Sequence, residues 1–172
     1  VDSSVVPGTL GFVFGLFLKQ KPVETSIIKA FPASTANYIT FCVSNHPLFC
    51  NDLHKLWIKR KEADRFAYQF QLLKSSSGID LDRDIKKFWG NQFAIVQLAN
   101  QAKIGIVKVT NGTLLSYMLE PISSAKSETV REFNNANILY YYFGDPFKIF
   151  LRPYYMIIDN YLIVAITSSV LQ

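Results

Sequence analysis

Residues 92–110 read QFAIVQLANQAKIGIVKVT. Two β-rich runs, Gln92–Ala99 and Lys103–Thr110, are joined by Asn100-Gln101, which is the pattern of a β-hairpin. Further along the chain, Tyr154–Ile158 and Leu162–Thr167 flank Asp159-Asn160-Tyr161, a second hairpin signal. Ile138–Phe143 (ILYYYF) is predicted as another strand, ended by Gly144-Asp145-Pro146. Asn111-Gly112 either turns a hairpin or caps a short helix over Thr113–Leu119, and Pro121 stops whichever forms. Ser123–Asn135 is polar and reads as a loop leading into an edge strand. On the N-terminal side, Asn37–Ser44 alternates, with Ile39, Phe41 and Val43 on one face and Tyr38, Thr40 and Cys42 on the other.

Between these strands lies a helical stretch. Leu53, Leu56, Trp57, Ala63, Phe66, Ala67, Phe70 and Leu73 recur at three and four, one apolar stripe on one long helix. Ser75-Ser76-Ser77-Gly78 ends it. A short helix is expected from Leu81 to Trp89, with Asp80 as N-cap, Asp82 and Asp84 at its positive start and Gly90 as terminator. The pattern therefore predicts one α+β domain over residues 1–172. It is an antiparallel, aromatic-rich sheet with one long amphipathic helix and one short capped helix on one face.

Composition agrees with a folded domain. Of 172 residues, 49% are hydrophobic, 15% aromatic and 18% charged, which excludes intrinsic disorder. The net charge of +5 permits attraction to anionic surfaces without demanding it. The apolar run Val5–Leu18 is too short to span a bilayer and carries three glycines and a proline. Its alternation reads as a first strand, so no transmembrane segment is expected in this chain. No Met starts the chain, and it is read as a piece of a longer protein.

Several features in order resemble a family of uncharacterised Gram-negative envelope proteins, classed as a domain of unknown function and associated with lipoproteins. They are Gly11-Phe12, the turn Phe31-Pro32-Ala33-Ser34-Thr35, the long amphipathic helix, Gly78-Ile79-Asp80, Phe88-Trp89-Gly90 and the Asp159–Leu162 hairpin. These motifs are turns and core residues, and no catalytic residue carries over. The resemblance implies a periplasmic or outer-surface location, attachment through a missing N-terminal part, and a binding or scaffolding role.

The sharpest chemical pattern is Cys42, His46, Cys50 and His54, each four residues apart. Two thiolates and two imidazoles make a tetrahedral zinc set, although no standard zinc motif has this spacing. A Cys42–Cys50 disulfide and ordinary, unliganded side chains are the other readings. The basic run Lys55, Lys59, Arg60, Lys61 and Arg65 lies opposite the apolar stripe, but Asp52, Glu62 and Asp64 dilute it. Without a phosphate loop or a stacking platform it reads as a solvated helix face, and no nucleic-acid partner is expected. Asp80, Asp82 and Asp84 lack the glycine and glutamate of a calcium loop and read as capping residues. No G-x-S-x-G elbow appears, and two histidines offer little to a serine triad.

Tyr140, Tyr142, Tyr154 and Tyr155 are the candidate ligand or partner surface, since Tyr suits a face that is apolar on one side and wet on the other. The other reading places them in the core. The favoured function is a non-enzymatic envelope segment that binds a protein partner or a small apolar ligand without a cofactor. The alternative is a zinc-dependent structural or catalytic protein built on the Cys/His cluster.

Overall fold

The structure is a computed structural model and describes residues 15–172. The central hairpin forms as expected, from β1 (Thr35–Cys42) outward through β2 (Trp89–Leu98) and β3 (Lys103–Val109). Ala94 pairs with Ile106 and Val96 with Ile104. Alternation then sends Phe93 and Val107 to one face and Ala94, Val96, Ile104 and Ile106 to the other, and all six are buried. Among the described residues, β4 (Ser123–Ala125), β5 (Arg131–Phe133), β6 (Tyr154–Ile158) and β7 (Tyr161–Ala165) complete a seven-stranded sheet. Every pairing is antiparallel, in the order β1-β2-β3-β7-β6-β5-β4. The α+β reading and the antiparallel sheet stand.

Segment 123–135 is a short hairpin rather than a loop. Its polar sequence hides one inward face, where Phe133 is buried and the Ser123 hydroxyl bonds to Leu119 O at 2.7 Å and Tyr155 Oη at 2.8 Å. The strand expected over Val5–Leu18 fails at its described end, because residues 15–17 are helical, with Leu16 buried and Leu18 exposed. The rest of that run lies outside the described residues.

The single long helix is two helices, α1 (His46–Lys59) and α2 (Ala63–Ser77). Lys61 adopts φ 58°, Glu62 N–H donates to Trp57 O at 2.9 Å and Lys61 N–H donates to Ile58 O at 3.0 Å. That double bond is a Schellman cap with lysine where glycine is usual, so no sequence signal marked the break. Asp80 caps the next segment as expected, accepting from the Asp82 and Arg83 amides. The segment itself is a π-helical turn, Leu81–Ile85, followed by a 3-10 turn, Lys86–Phe88. Trp89 and Gly90 already belong to β2. Asn111 resolves the next alternative by capping α3 (Gly112–Leu119) through the Leu114 amide.

Ile138–Phe143, expected as a strand, is helix α4. A short apolar run cannot declare its period, and here five of its six residues are buried, so the burial on every side fits a helix under the sheet. Helices α1, α2 and α4 cover one face of the sheet in a single aromatic-rich core. The other face is partly covered by the 3-10 turn Ile27–Ala30, held by buried Gln92, whose Oε1 accepts from the Ser26 and Ile27 amides at 2.9 Å each.

The α1–α2 corner is tied to the end of α4. Arg60 donates two hydrogen bonds to Asp145, at 2.6 and 2.7 Å, and one to Tyr140 Oη at 3.2 Å. Tyr140 in turn donates to Glu62 at 2.8 Å. Two outcomes follow for urea unfolding. Asp145→Ala leaves the guanidinium without its carboxylate and lowers stability by about 2 kcal/mol, below the range for fully buried pairs because Arg60 is partly wet. Lys61→Gly removes the left-handed strain and raises stability by about 1 kcal/mol.

Candidate functional site

The break at Lys61 turns α2 back against α1 and leaves a cleft of about 290 Å³ inside the elbow. Its walls are rings from three helices: Trp57 of α1, Phe66 and Phe70 of α2, and Tyr141 of α4. Trp57 and Phe66 meet edge-on at 5.2 Å, Phe66 and Phe70 stack at 5.7 Å, and Phe70 and Tyr141 meet edge-on at 4.8 Å. Ala63 and Ala67 lie on the same α2 face, and their small side chains leave the space that a larger residue would fill. Leu81 contributes from the capped turn.

Part of the polar rim is already paired. Lys74 bonds Asp80 at 2.9 Å, and the Tyr141 hydroxyl donates to both Asp82 oxygens, at 3.0 and 3.2 Å. Burial and the Asp82 carboxylate push the Tyr141 phenol well above its usual range, so it stays a donor. A second cavity of about 30 Å³ adjoins the first and shares His54, Trp57, Asp82 and Tyr141 with it, with Cys50 and Lys86 on its far side. The Trp57 indole N–H is buried and has no acceptor among the described residues.

The Cys/His set divides across the sheet. Asn45 caps α1 so that His46 is its first residue, which places His46, Cys50 and His54 one turn apart along the helix. His46 Nδ1 lies 3.4 Å from Cys50 Sγ, and His54 lines the cleft. Cys42 sits at the end of β1 on the opposite face, where its Sγ is 3.7 Å from Thr25 Oγ1. Both thiols are unbridged, and among the described residues no three His, Cys, Asp or Glu side chains are grouped to hold a metal ion. His46 and Cys50 supply two of the four donors that a zinc site needs.

The expected tyrosine surface is corrected by burial. Tyr140, Tyr142 and Tyr155 are all buried and only Tyr154 is partly open. The helix in place of a strand accounts for the first two, and Tyr155 lies inward against Phe133. The basic run is largely matched: Lys55 lies 3.6 Å from Asp52, Arg60 is bound to Asp145, and Arg65 lies 2.9 Å from Glu62. Among the described residues no helix is long and apolar enough to cross a membrane.

Sequence reasoning placed Trp57, Phe66 and Phe70 in a core stripe and passed over their cleft. The available signal was the pair Ala63 and Ala67 inside that stripe, small residues beside large rings. Comparisons with protein-family models, with curated proteins and with solved structures find no match.

Burial and the nearby Lys86 ammonium hold the His46 imidazole below its ordinary value, while burial raises the Cys50 thiol. At neutral pH these directions favour a thiol beside a neutral imidazole. As pH falls below about 6.5, the unfolded chain takes up the His46 proton before the folded one does, and the fold loses stability until the folded value is passed. NMR titration should place the His46 midpoint below 6.5, and His46→Gln should flatten that part of the stability profile.

Proposed function

We propose that this protein is a non-enzymatic binding protein whose α1–α2 elbow takes a small, mainly apolar ligand. The observation that carries the reading is the four-ring wall of Trp57, Phe66, Phe70 and Tyr141 around a cleft of about 290 Å³. A concave, ring-lined space with a few polar groups at its mouth has the composition of a small-molecule site. Its acidic groups are engaged by Lys74 and Tyr141, and its one thiol faces a neutral imidazole, so the walls favour holding a molecule over transforming it. The inward packing of Tyr140, Tyr142 and Tyr155 favours a small ligand over a protein partner docked on those rings. An envelope location is retained from the resemblance of turns and core residues alone.

The test is titration with toluene and with indole, followed by amide chemical shifts and thermal melting. Each should bind on the order of 0.1–1 mM, with shifts confined to the elbow and its facing turn. Ala67→Phe fills the cleft from an exposed position, so the fold should survive and affinity should drop at least about tenfold. Shifts scattered over the sheet, or binding untouched by Ala67→Phe, would sink the reading.

A further inference from the structure

We infer that the cleft selects a cationic ligand, an organic ammonium on an apolar body, with the Asp82 carboxylate as its partner. This rests on the elbow cleft being a ligand site and adds the ligand's charge. Three carboxylates lie on the capped turn, and they differ in how they are neutralised. Asp80 lies 2.9 Å from the Lys74 ammonium, and Asp84 lies 2.7 Å from the Arg83 guanidinium. Lys86 is 3.9 Å from Asp82, beyond hydrogen-bond reach. Asp82 instead accepts from the neutral Tyr141 hydroxyl, at 3.0 and 3.2 Å, which orients the carboxylate without cancelling its charge. Its side chain is 60% exposed and it lines both cavities, so a ligand in the cleft can reach it.

The surroundings have the same sign. Along the outer cleft two carboxylates, Asp80 and Asp82, face one ammonium, Lys74, although the chain as a whole carries +5 with histidine neutral. Lys86 lines only the inner cavity of about 30 Å³, beside Cys50. The aromatic wall suits a cation as well. Cations sit favourably over ring faces, and the Arg65 guanidinium already lies 5.3 Å from the centre of the Phe66 ring. Phe70 and Tyr141 are the wall rings left partly open, and they offer the apolar body of such a ligand a surface beside Asp82. A half-open ion pair is screened by water, so the discrimination to expect is a few-fold.

The probes are phenethylammonium, 2-phenylethanol and 3-phenylpropionate, alike in ring and chain and differing in charge. At low ionic strength the ammonium should bind about fivefold more tightly than the alcohol, and the carboxylate more weakly than either. Asp82→Asn, at an exposed position where Tyr141 keeps an acceptor, should bring the ammonium down to the affinity of the alcohol. Asp64→Asn removes a charge from the start of α2, outside the cleft lining, and should leave the preference in place. Equal affinities for ammonium and alcohol, or a preference that survives Asp82→Asn, would overturn the inference and leave the apolar cleft standing. Tightest binding by 3-phenylpropionate would overturn it too, by assigning the charged contact to Lys86. Failure of all three to bind would overturn the inference and the cleft reading together.

Discussion

The structure depends on a six-residue helix, α4, buried beneath the sheet. Its three consecutive tyrosines point about 100° apart, and each hydroxyl finds a different partner. Tyr140 donates to Glu62 at the α1–α2 corner, Tyr141 to Asp82 in the π-helical turn, and Tyr142 to Leu81 O at 2.7 Å. A strand would have sent Tyr140 and Tyr142 to one face and left the phenols to compete for it. As a helix, the segment ties the corner and the capped turn into one aromatic core. The rings continue through Trp89, Phe93 and Phe147, so α4 also seats the sheet. Burial, reinforced by the Glu62 carboxylate, pushes the Tyr140 phenol up to about 12, which keeps it a donor across the physiological range.

Close packing sets the sheet side of this arrangement as firmly. A Cβ on Gly105 would lie 2.7 Å from Phe147 Cε1 and from Val164 Cγ2, so β3 approaches the ring layer at a distance only glycine permits. At Gly112 the constraint is backbone: a Cβ there would fall 1.9 Å from Asp159 O, which presses the start of α3 onto the β6–β7 turn. The Asn160 side chain completes that contact by accepting from the Gly112 amide at 2.9 Å. The hairpin turn that is so legible in the sequence therefore also positions a helix far from it in the chain.

Legibility followed the strength of local signals. Alternation and turn residues marked β1, the central hairpin and the last hairpin, and a side-chain cap marked Asp80, because each of these is decided within a few residues, whereas Asn111 fitted a turn and a cap alike. The misses have tertiary causes. Ile138–Phe143 is aromatic enough for a strand, and only its burial on all sides makes it a helix. The break at Lys61 lacks the glycine that announces a Schellman cap, and it is held instead by Arg60 reaching Asp145, eighty-five residues away. The cysteines and histidines looked like one cluster because they are close in sequence. Strand alternation puts Cys42 on one side of the sheet and helix α1 puts the other three on the opposite side.

The break at Lys61 and the cleft have the same origin. A continuous helix over the apolar stripe would have laid Trp57, Phe66 and Phe70 along one line against the sheet, with no hollow between them. Folding the stripe at a non-glycine residue costs about 1 kcal/mol or more in backbone conformation. The ion pair to Asp145 and the bond from Tyr140 to Glu62 offset that cost, and both act only when α4 is in place. The elbow brings the Trp57 and Phe66 rings together from two helices and leaves Ala63 and Ala67 facing open space. The feature that departs furthest from the local pattern is therefore the one that opens the ring-lined cleft.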